Sequence, residues 1–140
     1  MFNWFRKKEP KTTGHEYTNM TGGELRSFLL LAPELNAKDF GTIRVCSDVY
    51  VLPDDQQVIG IIQQLSIPAY NKTFSCIHRV LYALVHLLGR GWPVGYLIIG
   101  SPIRNHAVIF WVNSQKQVKI YDIEKARYRR SVKTYNGLIP

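Results

Sequence analysis

One segment constrains the fold more than any other: the stretch from Cys76 to Leu88, followed at once by a glycine stop. Ile77, Val80, Leu81, Leu84, Val85 and Leu88 recur at helical spacing and predict a helix with one wide apolar face. Thr73 or Ser75 supplies a start signal, and Gly89-Arg90-Gly91 with Pro93 ends it. Such a face must be buried, and the residues after it read as the surface that buries it. Val94 to Ile99 is apolar and closes at Gly100-Ser101-Pro102. His106 to Val112 is apolar and aromatic and closes at Asn113-Ser114-Gln115, which predicts a hairpin. Val118 to Asp122 alternates as a half-buried strand does. The order of a buried helix and then antiparallel strands predicts an α+β domain.

The first half carries weaker patterns. Leu25, Phe28 and Leu29 predict a short helix starting at Thr21 or Gly22 and limited by Pro33. Residues 42–45 and 49–52 read as short strands. Val58, Ile59, Ile61, Ile62 and Leu65 predict another helix after the turn at Pro53-Asp54-Asp55. Residues 1–20 read as a flexible or packed arm and residues 21–140 as a single domain, as the 140-residue length suggests. There are no internal repeats. No apolar run approaches the roughly 20 residues that span a bilayer, and no secretory leader is expected. Two cysteines, Cys46 and Cys76, make no disulfide scaffold and point to a reducing, cytoplasmic setting.

The net charge is +8. Residues 1–11 hold four cations against one acid, residues 116–133 hold seven against two, and the interval between is neutral. Lys125, Arg127, Arg129 and Arg130, interleaved with Tyr128, form a basic patch suited to nucleic acid or an acidic protein. The same charge also serves as a solvated surface. The aromatic and basic residues 2–8 suit a peripheral lipid contact, although membrane attachment is not expected as the main role.

Three residues form a candidate catalytic constellation. Cys76 sits at the head of its helix, where partial positive charge favours a thiolate and free N–H groups can hold an oxyanion. His106 opens the central strand and would take and return a proton. Asp122 closes the next strand, and a hairpin about residues 113–115 brings it beside His106, whose tautomer it would fix. Plainer readings exist for each. A cysteine on a buried helix is also a small core hydrophobe, a strand-edge histidine a hydrogen-bonded structural residue, and an aspartate a turn former. Cys-x-His at 76–78 lacks metal-ligand spacing, so neither metal nor cofactor is expected. Phosphate-loop, dinucleotide and Gly-x-Ser-x-Gly motifs are absent.

The ordered set Tyr70…Phe74-Ser75-Cys76, Asn105-His106-Ala107-Val108 and Lys119-Ile120-Tyr121-Asp122 resembles the papain-like cysteine-peptidase fold over roughly residues 45–125. More closely it resembles a small branch containing the protease domain of fungal agglutinins and related phage-encoded proteins. The resemblance implies a papain-like core with a buried N-terminal helix on an antiparallel sheet. It implies a thiol hydrolase acting on a peptide or isopeptide bond of a protein substrate, in a host cytoplasm if phage-encoded. It places nucleophile, base and orienting acid at Cys76, His106 and Asp122, with Asn71 or Gln64 as an oxyanion donor. Ser75 and Ile77-His78-Arg79 depart from the acidic flanks of that branch, and Asp122 stands where Glu is common. The alternative is a non-enzymatic basic binding protein, inhibitor-like, on a degenerate form of the same fold.

Overall fold

The computed structural model describes residues 18–37, 42–100 and 105–140. The proposed arm therefore falls largely outside the described residues. Eight strands and three helices follow one another along them: β1 (Asn19–Thr21), α1 (Gly22–Leu31), β2 (Ile43–Val45), β3 (Val49–Val51), α2 (Asp55–Gln64), α3 (Cys76–Leu87), β4 (Val94–Gly100), β5 (Asn105–Val112), β6 (Val118–Asp122), β7 (Arg127–Arg129) and β8 (Thr134–Ile139). Strands β1 and β3 make a small antiparallel ribbon, and the other six form one sheet in the order β2-β8-β4-β5-β6-β7.

Local chemistry explains the helix starts. Thr21 caps α1, accepting from the Glu24 amide while the Glu24 carboxylate accepts from the Thr21 amide. Gln57 returns to the Asp54 amide at the head of α2. At α3 the reciprocal partner is His78, whose Nδ1 accepts from the Ser75 amide at 3.0 Å.

The sheet is covered on both faces. Its first face, with α1 and the β1–β3 ribbon, holds Leu25, Leu29, Leu35, Tyr50, Leu97, Val108, Phe110, Val112 and Ile120. Its second face, with α2 and α3, holds Val58, Ile62, Val80, Leu84, Leu87, Ala107, Ile109 and Trp111. Alternate residues of β5 thus belong to different cores, as the period of two requires. Ala107 through Val112 are buried without a break.

The expected papain-like core, an N-terminal buried helix carrying an antiparallel sheet, is corrected here. The molecule is dominated by its sheet. The buried helix is the third helix, and three strands precede it. The sheet is mixed, because β2 pairs in parallel with β8, with Arg44 level with Leu138. Strand β8 comes from the last residues, which carry little alternation because Asn136 and Gly137 interrupt it. It nonetheless runs between β2 and β4, with a register shift at Ile98/Ile99. Gly95 makes that pairing possible, since a Cβ there would collide with the Leu138 carbonyl.

The head of α2 is tied to the β5–β6 hairpin by one carboxylate. Asp55 Oδ1 accepts from Trp111 Nε1 at 2.9 Å and Asn113 Nδ2 at 3.1 Å, and Oδ2 lies 3.6 Å from Lys119 Nζ. Asp55→Ala leaves the fully buried indole N–H without its acceptor. The expected cost is about 2 kcal/mol, read as a lower midpoint in urea denaturation with the slope unchanged.

Candidate functional site

The hairpin that joins β5 and β6 pairs Val112 with Val118 and Ile109 with Tyr121. Each step back along β5 is a step forward along β6, so three steps from Ile109 bring His106 level with residue 124, diagonal to Asp122. The side chains meet accordingly. His106 Nε2–H faces both carboxylate oxygens of Asp122 at 3.2 Å, and Nδ1 lies 3.8 Å from Glu124 Oε1. Asp122 is fully buried. It also accepts from the Lys125 amide at 3.2 Å and from Arg129 Nη1 at 3.4 Å.

Burial of Asp122 opposes its charged form. The His106 hydrogen bond, the Lys125 amide and the positive field of His106 and Arg129 outweigh that penalty and hold the carboxyl below the ordinary aspartate range. Among the described residues, His106, Asp122 and Glu124 also form a group whose donor atoms lie within 4.8 Å of one another. The adjacent Arg129 guanidinium already takes the place a cation would fill beside Asp122.

A cavity of about 870 Å³ opens at this end of the sheet. Ile99, Gly100 and Val132 line it together with Asn105, His106 and Glu124, and Lys125, Arg129 and Lys133 add three cationic side chains. Two residues of the basic patch, Lys125 and Arg129, therefore contribute to it. Arg127 and Arg130 are exposed outside its lining.

The structure brings His106 and Asp122 together but does not join Cys76 to them. His106 pairs across the sheet with Ile99 and shares the parity of Val108 and Phe110, which places it on the first face. Cys76 lies on the inner stripe of α3 with Val80, Ala83 and Leu87 and packs, partly buried, against the second core. Among the described residues its sulfur makes no hydrogen bond. Asn71 is occupied in a turn, its Oδ1 accepting from the Thr73 amide and hydroxyl and the Phe74 amide. Gln64 ends α2, exposed. Glu124 and Lys133 were not anticipated. The hairpin register carries the signal for Glu124; for Lys133 the sequence carries none, because nothing local sets β8 beside β4.

Neither a family model nor a curated protein matches the chain. Solved structures do. One, described as a PSL1a–E64 complex, superposes with a TM-score of 0.68 at 19% identity, over 87% of this chain and 51% of that one. Another is Polyporus squamosus lectin bound to the human-type influenza-binding epitope Neu5Acα2-6Galβ1-4GlcNAc, with a TM-score of 0.69 at 20% identity over 87% and 50%. At these identities the likeness is one of fold, and the chain spans about half the length of these neighbours. The resemblance to papain-like peptidases is corrected accordingly. One neighbour is described as a lectin, neither description names a peptidase, and the thiol and the imidazole lie against different cores. The thiol-hydrolase reading and its peptide substrate fall with it. So does the alternative of a nucleic-acid or acidic-protein binder on a degenerate peptidase fold.

Two outcomes are expected. Alkylation of Cys76 by iodoacetamide, followed by mass spectrometry, proceeds at the same rate in the wild type and in His106→Ala, because no imidazole serves the sulfur. For Asp122, a folded-state value below the unfolded value of about 3.9 adds stability at higher pH, and this is lost as pH falls through the folded value. Asp122→Asn removes that contribution. The stability gap between wild type and variant is therefore widest near neutral pH and narrows in urea denaturation as pH drops below about 4.

Proposed function

We propose that this chain binds an acidic glycan, holding a sugar carboxylate in the cavity beside His106. The observation that carries the reading is the convergence of Lys125, Arg129 and Lys133 around a single opening at the sheet end. A carboxylate entering it meets cationic donors, and a guanidinium can hold it through paired hydrogen bonds. Asn105 and Glu124 offer a donor and acceptors for ring hydroxyls. The buried Asp122 acts from behind, fixing His106 and Arg129 in place.

The solved lectin structure supports the class of ligand, since the epitope named with it carries the acidic sugar Neu5Ac. That glycan belongs to the whole neighbouring protein, of which this chain spans half. The cationic lining of the cavity is therefore what supports placing the ligand at these residues. Carboxylate recognition here would supply both orientation and selectivity over neutral sugars.

The test is an NMR titration with Neu5Acα2-6Galβ1-4GlcNAc against neutral Galβ1-4GlcNAc. Expected are shifts clustered at residues 105–106, 124–125, 129 and 131–133, and weaker binding of the neutral sugar. The double variant Lys125→Gln/Lys133→Gln should lose roughly tenfold in affinity, which corresponds to about 1.4 kcal/mol. Absence of shifts in the cavity would overturn the reading. So would a stable E64 complex that Cys76→Ala abolishes, because it would put the ligand at the head of α3.

A further inference from the structure

Helix α3 carries one wide apolar face, yet only part of it is covered. Val80, Ala83, Leu84 and Leu87 face the sheet. Leu81, Val85 and Leu88, at i, i+4 and i+7, remain 39%, 65% and 45% exposed. Beside this aliphatic stripe runs a ladder of rings. Phe74 stacks on His78 with centroids 5.6 Å apart, and Tyr82 meets His86 at 5.0 Å. Cations stand at both ends. Arg79 is held by the Pro68 carbonyl at the start, and Arg90 is held by the His86 carbonyl at 2.8 Å and lies over Trp92 at the end. No acid offsets them, because the sequence contains no Asp or Glu between Asp55 and Asp122.

We infer that the outer face of α3 is a docking surface for an anionic phospholipid bilayer. A helix with an uncovered apolar face needs an apolar partner. Three aliphatic side chains project from the outer face of the helix, flanked by aromatic rings and ended by arginines. That arrangement suits the boundary between acyl chains and headgroups, with the arginines reaching acidic lipid phosphates. Charge selects the lipid class, since every charged residue of the segment is basic. The helix would lie in the plane of the interface, and no helix among the described residues is long and apolar enough to cross a membrane. The glycan cavity opens on the other face of the sheet, so the two surfaces could be occupied together.

The experiment is co-sedimentation of the full chain with phosphatidylserine–phosphatidylcholine vesicles and with phosphatidylcholine alone. Binding is expected to the acidic vesicles, weakening with salt. Val85→Glu should reduce it roughly tenfold and Val85→Ser by less. Val85 is exposed, so thermal melting of both variants should match the wild type. Lys125→Gln/Lys133→Gln should sediment unchanged, while Val85→Glu keeps its glycan shifts, which separates the fate of this inference from that of the cavity. Three results would overturn it. One is equal or absent binding to the two vesicles. Another is binding that survives Val85→Glu. The third is a concentration-dependent dimer that Val85→Glu dissolves, which would mean a second copy covers the face.

Discussion

Strand β5 is buried on both faces, and its strict alternation decides what can meet what. Val108, Phe110 and Val112 go to the core under α1, while Ala107, Ile109 and Trp111 go to the core under α2 and α3. A shift of one residue in its pairing would exchange the two sets and place side chains of the wrong size in both cores. The register with β4 and β6 is thereby fixed from two sides. His106 continues the first set, and this alone directs the imidazole to Asp122 rather than toward α3.

A charged carboxylate with no exposed surface survives only where its partners compensate for lost water. Asp122 has an imidazole, a backbone amide and a guanidinium. Each comes from an element that the β6–β7 turn and the hairpin bring close by construction. Arg129 stands in register with Ile120, on the adjacent strand, so the edge strand β7 is held to the sheet by charge as well as by its ladder. The cavity rests on this arrangement. Without the buried anion, His106 and Arg129 lose their common anchor.

The legible parts of the sequence were local. Helix α3 follows from the spacing of Ile77, Val80, Leu81, Leu84, Val85 and Leu88 and from Gly89, although Leu81, Val85 and Leu88, expected in its buried face, stand exposed. The β5–β6 hairpin follows from Asn113-Ser114-Gln115 between two apolar runs. Non-local pairings left no such trace. The insertion of β8 between β2 and β4 depends on Gly95 and Gly137, which look like interruptions in sequence and act as close approaches in space. Strand parity sets the faces on which His106 and Cys76 stand. Counting by twos from Phe110 places His106 with Val108, and the contacts of α3 with Ala107 and Ile109 place Cys76 with the opposite set.

Charge follows a similar logic of placement. The two acids that bound the acid-free interval both face inward: Asp55 serves Trp111, Asn113 and Lys119, and Asp122 serves His106 and Arg129. These two anions are committed to internal contacts, while Arg79, Arg90, Arg127 and Arg130 remain at or near the surface. With a net charge of +8 and no acid between Asp55 and Asp122, the fold presents positive charge on more than one side. Both the cavity at the sheet end and the outer face of α3 then select for negative charge, for the same reason, through residues that share no contact. Raising the salt concentration should therefore weaken an acidic sugar and an acidic bilayer alike, whereas a substitution in one surface leaves the other intact because the two-faced sheet stands between them.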